Sequence, residues 1–77
     1  MIQHTSFRRR YTCGQHVTGH GRQVTTRGGA ILTGKERVME EGVVVKLPGK
    51  HGDPYTVLDQ QAFITIEAQE EHLKPLS

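Results

Sequence analysis

The chain has 77 residues, 34% hydrophobic and 5% aromatic, with nine glycines, one cysteine and no tryptophan. That length holds one small domain and excludes a doubly wound nucleotide-binding domain or a multi-domain enzyme. One cysteine excludes a disulfide framework, and no aliphatic run longer than Val43-Val44-Val45 is present to span a membrane. No apolar segment with a cleavage site opens the chain, so a cytoplasmic protein is expected. The net charge is +2, but residues 1–37 hold seven Lys/Arg against one acid, a balance of +6. Residues 38–77 hold three against seven, a balance of −4. This asymmetry suggests a basic surface for an anionic partner, with the acidic half as a back face or protein-contact face.

Residues 1–12 read as a flexible basic arm, and 13–77 as a single small domain. In Phe7-Arg8-Arg9-Arg10-Tyr11 three like charges adjoin, with no cap or apolar period after them. Gly14, Gly19 and Gly21 then break any helix, and Val17-Thr18 suits a short extended segment. Gln23-Val24-Thr25-Thr26-Arg27 is β-branched at its centre and ends on the turn signal Gly28-Gly29. Ala30-Ile31-Leu32 is a short apolar run. Residues 34–41 leave two alternatives. Thr33 and Glu36 have capping-box spacing, which would start a helix of about seven residues ending before Gly42. Otherwise Thr33-Gly34-Lys35-Glu36 is a turn and a strand starts at Arg37, which is the preferred alternative.

Stronger signals follow. Val43-Val44-Val45-Lys46-Leu47 is the clearest strand, stopped by Pro48-Gly49, with Gly52-Asp53-Pro54 closing a loop. Tyr55-Thr56-Val57-Leu58 is a second strand, turning near Asp59-Gln60-Gln61. Phe63-Ile64-Thr65-Ile66-Glu67 is a third, with Ile64 and Ile66 toward the core and Phe63 at its margin. Gln69-Glu70-Glu71-His72-Leu73 suits one helical turn before Pro75.

Short strands parted by Gly and Pro turns predict a mostly β small barrel, since closure removes exposed edges. The order from Gly42 onward resembles the last strands of SH3-like barrels: an apolar strand, a loop, Tyr55-Thr56-Val57, a tight turn, Phe63-Ile64-Thr65-Ile66, a helical turn and a terminal Leu73-Lys74-Pro75-Leu76. The resemblance covers about half the chain and implies about five strands. It implies no activity, because fold does not settle function. Phe63 to Glu67 is also similar in spacing to the pore-lining strand of plasmid-encoded type II dihydrofolate reductases. That family's glutamine, isoleucine and tyrosine fall on Thr65, Ile66 and Glu67. Only the isoleucine matches, so the activity is not carried over.

Chemistry-bearing constellations are sparse. Cys13, His16 and His20 offer zinc-ligand types, but on a strand the two histidines stand roughly 13 Å apart. Gly29 to Lys35 has P-loop spacing, but Glu36 stands where a Ser or Thr should bind magnesium and would repel phosphate. The only serines, Ser6 and Ser77, lie near the termini. No catalytic residue, metal or cofactor is expected, and the chain reads as non-enzymatic. The arginine-rich segment points to nucleic acid: guanidiniums pair with phosphates and aromatics stack on bases. The expected contacts are Arg8, Arg9, Arg10, Arg22, Arg27, Lys35 and Arg37, with Tyr11 as a stacker. The alternative is a protein-interaction or inhibitor module of phage or plasmid type, acting on a host or assembly protein. Val43 to Leu47 would add a partner strand if it lies at a sheet edge, and sheet edges also leave homo-oligomers open.

Overall fold

A computed structural model describes residues 8–25 and 31–76, with the backbone alone for Thr25 and residues 31–33. Residues 1–7 of the expected arm, Arg27 and the Gly28-Gly29 turn lie outside the described residues. The described chain is mostly β. Its strands are β1 (His16–Thr25), β2 (Ile31–Lys46), β3 (Tyr55–Asp59), β4 (Ile64–Ala68) and β5 (Leu73–Pro75). One 3₁₀ turn, Glu70–His72, joins β4 to β5.

All pairings are antiparallel. β1 pairs with β2 from His16↔Val43 to Thr25↔Ile31, β2 with β3 from Gly42↔Asp59 to Lys46↔Thr56, and β3 with β4 along its whole length. β4 then returns to β1 through Arg22↔Glu67 and Gln23↔Ile66, which closes a four-stranded barrel. β5 lies on the same edge of β1 further back, at Val17↔Pro75 to Gly19↔Leu73. This is the small SH3-like plan, including the 3₁₀ turn before the last strand.

Two expectations change. Residues 34–41 are neither helix nor turn. They lie inside the single long strand β2, so the strand expected from Arg37 is present but begins at Ile31. Lys35 to Met39 pair with β1, register shifts skip Gly34, Glu40 and Glu41, and Gly34 at φ +52 is the local irregularity where a turn was expected. The capping-box spacing is a local preference, and pairing with β1 overrides it. Gly19 and Gly21 exclude a helix as expected, but they sit within β1, so the short extended segment expected at Val17-Thr18 is part of a ten-residue strand.

Those glycines are where the barrel closes. From Glu67 to Leu73 the chain advances six residues while its partners on β1 retreat only three, from Arg22 to Gly19. The 3₁₀ turn absorbs the excess and is pressed onto β1. A Cβ on Gly21 would stand 2.4 Å from the Glu67 carbonyl oxygen, and one on Gly19 2.1 Å from that of His72. Gly19 also has φ +151. Only glycine fits either position.

Inside, β3 buries Tyr55, Val57 and Asp59, and β4 buries Ile64, Ile66 and Ala68, each in strict alternation. Val17, Met39, Val44 and Leu73 complete the packing from the other strands. Each such aliphatic side chain contributes about 1.5–3 kcal/mol of burial. Among the described residues no helix is long and apolar enough to cross a membrane.

Gly19→Ala and Gly21→Ala each lose about 2–3 kcal/mol of stability, from overpacking against backbone that cannot move aside. Gly52→Ala costs about 1 kcal/mol, because φ is +94 there but nothing lies within 4 Å of the new methyl. Denaturant midpoints with unchanged m-values measure all three.

Candidate nucleic-acid interface

The expected contact residues form two groups instead of one path. The first is at the start of the described chain. Arg8, Arg9 and Arg10 are exposed. The Nε of Arg9 donates to the carbonyl of Pro48 at 2.9 Å. This anchors the arginine run beside the loop after β2, where Lys46, Lys50 and His51 are also exposed. The loop is tightened by the N–H of Asp53 donating to the carbonyl of Lys50 at 3.1 Å. Lys46 and Lys50 belong to the acidic half of the sequence. The two halves therefore do not map onto two faces.

The second group lies where the β1–β2 hairpin rises past the barrel. Lys35 and Arg37 are exposed opposite Gln23 and Gly21, with no acid across the strand. Arg22 is exposed too, but its cross-strand neighbours are Glu36 on β2 and Glu67 on β4, which offset its charge. Its aliphatic stem lies over Gly34, where a Cβ would approach Arg22 Cδ to 2.7 Å. Arg37 and Lys46 stand nine positions apart on β2, roughly 30 Å of strand. Arg27 lies outside the described residues.

Tyr11 is corrected from a surface stacker to a core residue. It is 1% exposed and packs edge-on against Tyr55, with ring centroids 5.4 Å apart at 79°. Its backbone N–H donates to Tyr55 Oη at 3.2 Å, and its own Oη donates to the Leu73 carbonyl at 2.8 Å. It joins the start of β3 to the start of β5. Among the described aromatics the one that stands out instead is Phe63, 61% exposed. The sequence assigned it to the core margin because it begins an alternating run, but β4 starts one residue later, at Ile64.

The expected strand-addition site also moves. On one side Val43 and Val44 pair with Leu58 and Val57. On the other, Val44 exchanges backbone hydrogen bonds with Gly14 and Gln15. This segment is interior. Among the described residues, the open edge of β2 is residues 34–40, of which Lys35 to Met39 pair with β1 and none pairs with β3, and Val38 there is 77% exposed.

The histidines find separate carboxylates. His16 Nδ1 lies 3.3 Å from Glu41 Oε2, and His20 Nδ1 lies 2.9 Å from Glu36 Oε2. His20 also stacks on His72, centroids 4.4 Å apart at 25°. Cys13 is exposed. Among the described residues no three His, Cys, Asp or Glu side chains are grouped to hold a metal ion.

Compared with protein-family models, curated proteins and solved structures, the chain shows no significant match to any of them.

Tyr11→Phe lowers stability by about 1–3 kcal/mol, because the Leu73 carbonyl loses its buried donor. Tyr11→Ala lowers it by about 3–5 kcal/mol. Equilibrium denaturation checks both, and a surface-stacking tyrosine would leave stability unchanged.

Proposed function

We propose that this chain is a small non-enzymatic binding module that holds nucleic-acid phosphates with Arg8, Arg9 and Arg10, joined by Lys46 and Lys50. The observation that carries the proposal is the bond from Arg9 to the Pro48 carbonyl. It brings cations from two distant segments to one end of the barrel, with three adjacent guanidiniums among them. Guanidiniums present a planar fork that meets phosphate oxygens in pairs, and each phosphate neutralised releases condensed counterions. Lys35 and Arg37 form a second, separate cationic group on the hairpin. Arg22 contributes less, since two glutamates flank it. The module works in the cytoplasm and needs no cofactor.

Binding of single- and double-stranded oligonucleotides, followed by anisotropy between low and moderate salt, tests this. Arg8→Ala/Arg9→Ala/Arg10→Ala weakens binding to every sequence and flattens the log–log salt slope by about two to three. Lys46→Ala/Lys50→Ala flattens it by about two. No binding at low salt, or binding indifferent to the triple substitution, would sink the proposal.

A second reading, a protein-interaction module, draws on the open edge at residues 34–40 and on exposed Val38. Under it, a tagged chain retains one partner protein after nuclease treatment. Val38→Lys, which charges the edge, releases that partner.

A further inference from the structure

Phe63 occupies a backbone position that suits it poorly. Its φ is +57, the left-handed region, where a side chain with a Cβ costs on the order of 1–2 kcal/mol. A ring that is 61% exposed gains little burial to offset that cost. Glycine or asparagine is what a turn of this shape favours. The turn is also rigid. The N–H of Phe63 donates to the Asp59 carbonyl at 2.9 Å, and Asp59 Oδ1 accepts from the N–H groups of Gln61 at 3.0 Å and Ala62 at 3.4 Å. Asp59 itself is buried, and the N–H of Gln60 donates to the Glu41 carbonyl at 3.2 Å. The ring is thus presented on a fixed mount.

We infer that Phe63 is a stacking platform for an unpaired nucleobase, so that the ligand class is single-stranded nucleic acid. This inference rests on the nucleic-acid reading above and adds a site to it. The surroundings favour a base over a protein partner. Gln60 and Gln61 beside the ring are exposed amides, suited to base edges. No other large exposed hydrophobic lies in the turn, whereas a protein hot spot needs an apolar surround that excludes water. One ring face is enough to stack one base. Lys35 supplies a phosphate partner: Ile66 of β4 stands opposite Gln23, and Gln23 opposite Lys35, while Phe63 lies three residues along the chain from Ile66, so the backbones of Phe63 and Lys35 stand roughly 14 Å apart. A duplex offers no free base face, so stacking selects single strands.

The test compares a short oligothymidylate with an abasic oligomer of equal length, which carries phosphates without rings. The wild type binds oligothymidylate about tenfold tighter, within the range of one stacked base. Phe63→Gly abolishes that preference, yet melts no lower than wild type because glycine relieves the strained φ. Phe63→Trp keeps the preference. The chain has no other tryptophan, so quenching of that fluorescence by oligothymidylate reports the stack directly. Binding of both oligomers without a preference, a preference that survives Phe63→Gly, or an unquenched tryptophan overturns the inference and leaves the phosphate reading standing. Binding of neither oligomer overturns both.

Discussion

The barrel depends on two missing side chains. Where β4 gives way to the 3₁₀ turn, the carbonyls of Glu67 and His72 occupy the space that Cβ atoms on Gly21 and Gly19 would fill. With glycine at both positions, one edge of β1 receives β4 and β5 in succession while its other edge carries β2. The ring then closes, and its strands turn one face inward. A side chain at either position would push the crossing outward, part β4 from β1 and open the core. The same approach sets the position of His20. It lies between the two glycines, on a strand held tight to the crossing, and so its ring meets that of His72.

Closure concentrates a small apolar supply. A chain of this size buries a modest fraction of its surface, so each interior position counts. Tyr11 illustrates this. Its ring is spent in the core, and both of its polar groups are satisfied there, one by Tyr55 and one by Leu73. Burying a tyrosine without those partners would cost more than its ring contributes. The result is that the segment carrying the arginines is tied to the barrel at two successive points, through Tyr11 and through Arg9. A charged run that would otherwise repel itself into solvent is held at one end of the barrel.

The sequence foretold elements whose signals are local. β3 and β4 follow period-two alternation, the turn at Asp59-Gln60-Gln61 follows from its residues, and the helical turn sits where Glu70 and Glu71 were expected to form one. What escaped depends on distant partners. The bond from Tyr11 Oη joins residues 62 apart in sequence, and nothing beside Tyr11 signals its burial. Gly19 and Gly21 read locally as breakers, because the carbonyls they accommodate come from near the other terminus. Residues 34–41 have helix-start spacing, but β1 supplies partners for Lys35 to Met39 at its centre. The candidate site was legible only as a list of cations. Its grouping was not, because Lys46 and Lys50 lie in the acidic half and reach Arg8 to Arg10 only through the fold. Phe63 was misplaced for a related reason: alternation marks a strand but cannot show that its first residue has turned to positive φ.

Local preference and global fold agree along most of this chain, and the departures are few. Residues forced by closure, such as Gly19 and Gly21, are explained by what they touch. Phe63 is not explained that way, since the fold would be served better by a residue without its ring. Val38 is a milder case, an apolar side chain on an open strand edge where Lys35, Glu36 and Arg37 otherwise give the charge that keeps edges from pairing. The arginine run belongs with them: three adjacent like charges contribute nothing to a core and repel one another. These departures lie outside the packed interior, so the barrel can bear their cost only because its closure is secured elsewhere. A partner that carries negative charge and presents a flat ring would relieve the first and the last of them together, by neutralising the arginines and covering Phe63. That relief takes a partner long enough to span β3, because the strand runs from the loop beside the arginines, before Tyr55, to the turn that carries Phe63, roughly 17 Å of strand.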